Sequence, residues 1–361
     1  IFIPECPPSI TVDSTGERLA IADVAQNITI WDLNQLELIC RWNASGPTSR
    51  GNDGEAGSTG PCSVLFGPNG HELLSITSDG ELVFWELSGE TPVPLAASRW
   101  LGLSSNEAIV ACPNGMLFAV ASEQGLVSVW EWATRKLVRI YKVTDEKIVK
   151  SGLNLEPNNV VASAPSISTD EAESEDRQRR TVASLAFSPN SRLLLACAEN
   201  GDLILFDLYE DMKLNHYTAP SIDSEEEGDA SFSDAYPYAD FAPSGEIIHL
   251  LSDGELHFLD YNAWPESISI VPGTSGVQQF VHSPSYDELC LIDGDLHPSR
   301  WILKTVERLP DISDEVGDIE LIDYHPQGDM FFAATTLGEL LLVDRATGSI
   351  ERRVGNARTV F

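Results

Sequence analysis

The stretch SDGELVFWEL (residues 78–87) returns 174 residues later as SDGELHFLDY (residues 252–261). Each copy is preceded by a proline turn: FGPNG (66–70) stands before the first and FAPSG (241–245) before the second. A phrase that recurs together with the segment before it indicates an internal repeat, and a repeat constrains the fold more strongly than any single motif.

The same unit occurs seven times at a nearly constant spacing. Its turns end at Gly16, Gly70, Gly115, Ser191, Gly245, Tyr286 and Gly328. Fifteen residues after each turn, or fourteen after the fifth, the chain reaches an aromatic or aliphatic residue: Trp31, Trp85, Trp130, Phe206, Leu259, Trp301 and Val343. An acidic residue follows at once in six units, at Asp32, Glu86, Glu131, Asp207, Asp260 and Asp344, whereas Ile302 follows Trp301. A spacing held over seven units predicts seven copies of one structural element.

Each unit has the pattern of four short strands. Pro-Asn-Gly and Pro-Ser-Gly favour a type I turn, and the apolar runs between turns alternate with the period of a strand. Four strands in each of seven units predict an all-β fold, a seven-bladed β-propeller of four-stranded antiparallel blades. The first strands are expected near Ser9, Ser63, Ala108, Val182, Tyr236, Val277 and Ile319. The sixth blade should be the most irregular, because Pro298 removes a hydrogen-bond donor from its third strand.

The units resemble the WD-repeat (WD40) family in a diverged form. WDL at residues 31–33 and FSPN at residues 187–190 carry the resemblance, which extends over nearly the whole chain. It implies one propeller domain over 1–361, with repeats near 8–43, 62–100, 107–153, 182–218, 236–272, 277–310 and 319–355. The Gly-His pair common in the family is missing before the first strands, and Asp79 and Asp253 are among the few acids in its second turn. The buried polar network of the family is therefore expected to be incomplete.

Two features concern the ends of the chain. The outer strand of the seventh blade is expected from SIERRV (349–354), which follows its own third strand directly, with IFIPE (1–5) as the alternative. The sequence lacks an initiator Met and has neither the basic start nor the apolar stretch of a signal peptide, so a fragment or processed product is expected.

The sequence contains no motif for catalysis, a cofactor or a metal. Serine-hydrolase elbows, phosphate-binding loops and zinc-spaced Cys/His clusters are all missing, so we expect no enzyme and no cofactor. His282 and His325 occupy repeat positions and are expected to pack or to form turns. The six cysteines include Cys197 and Cys290 within second strands, where buried, reduced thiols would indicate an intracellular protein, cytoplasmic or nuclear. Two glycosylation sequons, at Asn27 and Asn43, favour the opposite location more weakly.

Three insertions, 44–60, 154–181 and 219–235, follow fourth strands and are rich in Gly, Ser, Pro and acids. They are predicted to be flexible loops on the face that the family resemblance implies for peptide ligands. The predicted partner-binding residues are Asp170, Glu171, Glu173, Glu175, Asp176, Asp223, Glu225, Glu226, Glu227, Asp229 and Asp234. The net charge of −34, from 22 basic and 56 acidic residues, favours a basic protein or peptide partner and disfavours nucleic acid and anionic membranes. A merely solvated acidic surface is the alternative.

Three functions fit these patterns. The first is a non-catalytic scaffold or recognition propeller, chaperone-like or part of a larger complex, whose acidic face takes a basic partner. The second is the C-terminal sensor propeller of a larger receptor, because the eroded repeats resemble those of NACHT and WD-repeat receptors. The third is a propeller enzyme. Fold alone does not separate them, because function depends on the sites that a fold carries.

Overall fold

The structure is a computed structural model that describes residues 9–44, 61–99, 108–143, 181–218 and 237–354. Short gaps within these ranges lie at 24–26, 36, 78–80, 90, 122–124, 251–253, 261–266, 271–275, 304, 306, 310–311, 313–317, 326 and 337–338. The described residues form seven four-stranded antiparallel sheets, each made of four strands consecutive in the sequence. These sheets are the expected blades, and the described residues contain no helix.

The chain divides into two compact units, and the first holds three sheets. The strands of the first sheet are β1 (Ser9–Val12), β2 (Arg18–Ala22), β3 (Asn27–Asp32) and β4 (Glu37–Asn43). Those of the second are β5 (Pro61–Phe66), β6 (Glu72–Thr77), β7 (Glu81–Glu86) and β8 (Val93–Arg99). Those of the third are β9 (Ile109–Ala111), β10 (Leu117–Ala121), β11 (Leu126–Glu131) and β12 (Lys136–Lys142).

The second unit, residues 178–354, holds four sheets. The fourth sheet has β13 (Val182–Phe187), β14 (Leu193–Ala198), β15 (Leu203–Asp207) and β16 (Met212–Tyr217). The fifth has β17 (Tyr238–Phe241), β18 (Ile247–Leu250), β19 (Leu256–Leu259) and β20 (Ser267–Ile270). The sixth has β21 (Val277–His282), β22 (Glu288–Asp293), β23 (Pro298–Ile302) and β24 (Glu307–Arg308). The seventh has β25 (Ile319–Tyr324), β26 (Met330–Thr335), β27 (Leu340–Asp344) and β28 (Ile350–Val354).

The strand positions agree closely with the sequence expectation. Every first strand begins within two residues of its expected start. The sixth sheet is the irregular one: Pro298 opens β23, and β24 has two residues, fewer than any other described strand. β28 pairs with β27, so the C-terminal SIERRV segment supplies the fourth strand of the seventh sheet as expected. Residues 1–5, the alternative, lie outside the described residues.

The turn before the second strand places a residue in an unusual backbone conformation in six of the seven sheets, and Tyr286 of the sixth sheet is the exception. At Gly70, φ is 68°, and its N–H donates to the carbonyl of Gly67 at 2.9 Å. Glycine adopts this left-handed conformation without steric cost. The equivalent residue of the fourth sheet, Ser191, takes φ of 60° as a non-glycine, and its N–H donates to the carbonyl of Ser188 at 2.8 Å. The turn therefore recurs in the sequence because the backbone needs a residue there that tolerates a left-handed conformation.

The core lies between the faces of successive sheets. In the first unit, Leu74 and Phe84 of the second sheet pack with Phe118 and Trp130 of the third, and all four are at most 1% exposed. Phe84 of the second sheet meets Phe118 of the third edge to face, with ring centroids 5.9 Å apart. Within the third sheet, Phe118 stacks on Trp130 with ring centroids 6.2 Å apart. Because the buried aromatics come from both sheets, each sheet depends on its neighbour for its hydrophobic stabilisation.

The residue that ends each third strand is not uniformly buried. Trp85, Trp130, Phe206, Leu259 and Val343 are at most 5% exposed, as expected for residues packed between sheets. The repeat pattern predicts that the aromatic of each third strand packs between sheets, and this is wrong for Trp31 and Trp301, which are half-buried. The unit recurs in all seven sheets, so the repeat pattern alone does not determine how deeply this residue is buried.

Each of the four third-strand tryptophans donates its indole N–H to a serine or threonine hydroxyl. That hydroxyl lies at one of two positions that face each other on the second and third strands of the sheet. In the second sheet, Ser75 on the second strand accepts from Trp85 at 2.9 Å. In the other three, the acceptor lies two residues earlier on the same strand: Thr29 for Trp31 at 3.2 Å, Ser128 for Trp130 at 2.9 Å and Ser299 for Trp301 at 3.0 Å. Strand register places these third-strand positions directly opposite the position equivalent to Ser75.

Sheets without this tryptophan do not need the hydroxyl. In the fourth sheet, Phe206 ends the third strand and the two opposed positions are Ala196 and Ile204. In the seventh they are Ala333 and Leu341. A buried polar group is stable only with a hydrogen-bond partner, so the hydroxyl and the indole occur together. The fifth sheet departs from this rule, as described below.

Charged contacts join neighbouring sheets near the start of the second strands. In the first unit, the carboxylate of Glu72 accepts hydrogen bonds from Trp132 at 2.9 Å and Arg135 at 2.7 Å, both in the turn after β11. In the second unit, Glu288 accepts from Arg345, in the turn after β27, at 2.9 Å. Trp132 and Arg345 occupy the same repeat position. The same contact is therefore made by two different donors.

Candidate functional site

The acids that follow the third-strand aromatic are engaged in turns. Asp32 accepts hydrogen bonds at 2.8 Å from the backbone N–H groups of Asn34 and Gln35, and Asp207 accepts in the same way from the two residues after Leu208. Glu86, Glu131 and Asp344 likewise bond to residues of the turns that follow them, and Asp260 is exposed. These carboxylates shape separate turns and do not converge on one site.

The predicted partner-binding acids, from Asp170 to Asp176 and from Asp223 to Asp234, lie outside the described residues. Asp79 and Asp253 also lie outside them. The candidate site described below therefore rests on other residues, which the sequence analysis did not single out for binding.

First strands of neighbouring sheets pack against each other in the second unit, β13 with β17 and β21 with β25. A hydrogen bond between first strands supports this packing: the N–H of Ala239 on β17 donates to the hydroxyl of Ser184 on β13 at 3.0 Å. In the first unit, Val64 on β5 donates to Ser9 on β1 at 3.1 Å at the equivalent positions. Residues of consecutive first strands are thus brought together, although in both cases they are 55 residues apart in sequence.

Three titratable side chains meet on the first strands of the second unit: Asp240 on β17, His282 on β21 and Asp323 on β25. We call them the inner-strand cluster. The Nε2 atom of His282 lies 3.2 Å from Oδ2 of Asp240, and the imidazole also contacts the backbone carbonyl of Ser283. Asp240 and Asp323 occupy the same repeat position, directly before the residue that opens the proline turn. His282 takes the position filled by Phe241 in the fifth sheet.

The charges of the cluster influence one another. Burial alone would lower the pKa of His282, but the charge and the hydrogen bond of Asp240, with a smaller effect of Asp323, leave its pKa raised above 6.5. Asp323 keeps an exposed surface although protein atoms crowd around it. That crowding, strengthened by the charge of Asp240 and opposed by His282, raises the pKa of its carboxyl group to about 6. Two carboxylates thus favour the protonated, positively charged form of His282.

We expect the imidazole signals of His282 to titrate at a higher pH than those of an unperturbed histidine in an NMR experiment. Replacing Asp240 by asparagine should lower that midpoint, because the charge and hydrogen bond that favour the imidazolium are both lost. Asp323→Asn should lower it less. An unchanged midpoint in the D240N variant would show that the two side chains do not interact in solution.

The cluster has the chemistry of a cation-binding surface more than that of a catalytic centre. Among the described residues, the hydrogen bonds of His282 go to a carboxylate and a backbone carbonyl, so it activates no hydroxyl or thiol there. Asp323 is exposed and reaches solvent. A carboxylate with these neighbours can accept hydrogen bonds from an ammonium or guanidinium group. His282, expected to be a packing or turn residue, is thus held by a carboxylate on another sheet, whereas His325 accepts the N–H of Gln327 and lies 3.4 Å from Asp329 within its own turn.

One further group of ligand-type atoms comes together in the described residues, in the turn between β22 and β23. Asp293, Asp295 and His297 place one carboxylate or imidazole atom each within 4.8 Å of the others. Oδ1 of Asp293 already accepts the N–H groups of Asp295 at 3.0 Å and His297 at 2.9 Å. We therefore assign these residues to the folding of the turn.

The cysteines within the second strands are buried thiols. Cys197 and Cys290 are at most 1% exposed, and neither is in a disulfide. Burial raises the pKa of Cys290 to about 12 and that of Cys197 further still, so both remain protonated at neutral pH. The described residues contain no helix that is long and apolar enough to cross a membrane.

Comparison with known proteins agrees with this geometry. Residues 176–207, which include the whole of β13, β14 and β15, match the family model described as "WD domain, G-beta repeat". The fourth sheet is therefore a WD repeat, and the six other sheets repeat its four-strand order. Among solved structures, this chain is similar to the crystal structure of Chaetomium thermophilum Raptor, with a TM-score of 0.65 and 13% identity. The alignment covers 93% of this chain and 27% of the Raptor chain, so this chain spans about a quarter of that protein. At this identity the similarity concerns the fold alone. No curated protein matches the sequence.

Proposed function

We propose that this WD-repeat propeller is a non-catalytic interaction protein that binds a basic peptide or protein. The observation that carries the proposal is a net charge of −34 on a fold that is typical of protein-interaction scaffolds. An electrostatic field of this size attracts positively charged partners, accelerates their association and repels nucleic acid and anionic membranes.

The inner-strand cluster supports this proposal at the level of individual residues. Asp323 is an exposed carboxylate beside the Asp240–His282 pair, and the crowded surroundings that raise its pKa disfavour its negative charge. A lysine or arginine side chain of a partner would supply the compensating positive charge. The contact would also lower the pKa of Asp323 and keep its carboxyl group ionised.

The acidic insertions supply a second, longer-range contribution to the proposed attraction. Residues 223–234 carry six acidic and no basic side chains, and residues 170–176 carry five acidic ones. Repulsion among these carboxylates would be relieved by a Lys/Arg-rich segment. The proposal also includes an intracellular location, cytoplasmic or nuclear, which the buried and reduced state of Cys197 and Cys290 supports.

The test is the binding of a fluorescent Lys/Arg-rich peptide, measured by anisotropy over a range of salt concentrations. We expect micromolar or tighter affinity at about 0.1 M salt, and weakening toward 1 M as the Debye length shrinks from about 10 Å to about 3 Å. Replacing Glu225, Glu226 and Glu227 together by glutamine should weaken binding about tenfold at low salt and hardly at all at high salt. Asp323→Asn should raise the dissociation rate more than it lowers the association rate.

The matched control removes the same number of charges elsewhere. Glu37, Glu307 and Glu351 lie on exposed fourth-strand positions of three different sheets, so E37Q/E307Q/E351Q changes the net charge equally without touching the insertions. If both triple variants lose affinity equally, only the net charge matters. If neither loses affinity and the salt dependence is unchanged, the acidic loops do not bind the partner and the charge serves solvation.

A further inference from the structure

The fifth sheet breaks the pairing of hydroxyl and tryptophan that the other sheets follow. Strand register places His249 on β18 directly opposite His257 on β19. These are the two positions at which other sheets carry the serine or threonine that accepts the indole N–H. In this sheet, however, Leu259 ends the third strand in place of tryptophan. Two imidazoles therefore occupy a site where the third strand supplies no indole to bond with them.

The two histidines are buried and poorly satisfied. His249 is 0% exposed, and within the described part of the chain neither of its ring nitrogens makes a well-formed hydrogen bond, although the Gly201 backbone lies near enough to favour the imidazolium weakly. His257 is 8% exposed; its Nδ1 atom is likewise unpaired there, and its Nε2 atom lies 3.2 Å from a carboxylate oxygen of Glu255. A buried polar group without a partner costs about 1–3 kcal/mol, so this region of the sheet is locally destabilised.

The neighbouring sheet covers His249 with an aromatic ring. Tyr217, at the end of β16 in the fourth sheet, meets the imidazole edge to face, with ring centroids 5.9 Å apart and an interplanar angle of 87°. The apolar residues around this contact, including Leu203, Ile247 and Leu259, form one core between the fourth and fifth sheets. Protonated His249 would be an isolated charge inside that core.

The surroundings provide little that could stabilise such a charge. The titratable groups facing this region are Tyr217 on β16 and Cys197 on β14, His257 and Glu255 on the fifth sheet, and Asp202, whose carboxylate lies 3.5 Å from the ring of His216. Burial is the main cause that lowers the pKa of His249 to about 3, and the charge of nearby His257 adds to it. The Gly201 backbone raises this pKa only weakly. Glu255 and Asp202 thus each lie beside another histidine, His257 and His216 respectively.

We propose that the contact between the fourth and fifth sheets is an acid-sensitive joint, which opens when His249 takes up a proton. In the closed joint His249 is neutral; in the open joint water solvates the ring and the proton binds. The coupling follows from linkage, because the open state binds more protons than the closed state wherever the pH lies below the ordinary histidine pKa. Closure is therefore most favourable above that value and is lost as the pH falls.

The pH dependence of the opening equilibrium is set by the binding of one proton to His249. With an ordinary pKa of about 6.5 in the open state and a value near 3 in the closed state, the opening equilibrium rises about tenfold between pH 7.5 and 5.5. It rises about tenfold again with each further pH unit down to about 4. Opening would expose the apolar surface of β14, β16 and β18, which the closed joint covers.

Hydrogen–deuterium exchange with mass spectrometry on the whole chain tests this proposal. After correction for the intrinsic pH dependence of exchange, protection factors of peptides covering β16, β18 and β19 should fall about tenfold from pH 7.5 to 5.5. Peptides covering β6 and β7 of the first unit serve as the internal reference and should change little.

The decisive variants are His249→Phe, which keeps an aromatic ring against Tyr217, and His249→Leu, which introduces the residue type common in this core. Either should remove the fall in protection between the two pH values, whereas His257→Gln should keep most of it. The reference peptides and far-UV circular dichroism establish that each variant is folded. A wild-type joint whose protection is independent of pH would overturn the proposal, as would folded His249 variants that open as steeply as the wild type.

Discussion

Replacing Trp130 by alanine is expected to lower the free energy of unfolding by about 3–5 kcal/mol, among the largest effects of any single substitution in this protein. The side chain is 1% exposed, stacks on Phe118 and donates its indole N–H to Ser128 at 2.9 Å. Truncation would leave a cavity in the core between the second and third sheets. It would also leave the hydroxyl of Ser128 without the indole donor.

Trp85→Ala should cost a similar amount, about 3–5 kcal/mol, because Trp85 is 5% exposed and donates to Ser75 in the same way. Trp31 is the matched control: it ends the third strand of the first sheet and also donates to a hydroxyl, but it is half-buried. Trp31→Ala should therefore cost clearly less. Chemical denaturation monitored by circular dichroism measures all three. Midpoints that barely move in the W85A and W130A variants would show that these rings do not support the core.

Glu288→Ala is the second substitution with a large expected effect, about 3–5 kcal/mol, because it leaves a buried arginine without its counter-charge. Glu288 and Arg300 are each 2% exposed, and the guanidinium donates twice to one carboxylate oxygen, at 2.8 and 3.0 Å. Arg345 donates to the other oxygen, and the hydroxyl of Tyr324 donates at 2.8 Å. The network joins the sixth and seventh sheets.

An exposed ion pair of the seventh sheet provides the comparison. Glu339 and Arg353 are 3.5 Å apart, with side chains 19% and 41% exposed, so Glu339→Ala should cost less than about 1 kcal/mol. Glu288→Gln should fall between the two, because the amide keeps one acceptor for Arg300. Thermal unfolding of the three variants gives the ranking. Equal losses for E288A and E339A would mean that water reaches Glu288 and screens its charge.

Much of the fold could be predicted from local features of the sequence. The turns recur because most of them end on a left-handed residue, as at Gly70, and the alternating runs recur because strand side chains point alternately to the two faces of a sheet. Even the irregular sixth sheet was predictable, because Pro298 cannot donate a backbone hydrogen bond. Turn preferences and strand alternation depend on residues that are close together in the chain, so both can be recognised from a single sequence.

The candidate site was not predictable in the same way. Asp240 and His282 are 42 residues apart and belong to different repeats, so no local pattern pairs them. His282 was predicted to be a packing or turn residue because its repeat position carries Phe in several other repeats. Comparing repeats position by position offers a signal that was available: Asp240 and Asp323 share one position, and a histidine replaces the aromatic of the intervening sheet.

By itself, the sequence determined seven repeats of four strands, the turns between them and an acidic charge of −34, because each of these depends on local composition or spacing. Only the tertiary structure decided which side chains meet across sheets. His249 faces Tyr217, Glu288 meets Arg345, and Trp31 keeps a half-exposed ring while Trp130 is covered. The physical reason is that burial and pairing at these positions depend on the neighbouring sheet, whose contact face is set by packing and not by the repeat that contains the residue.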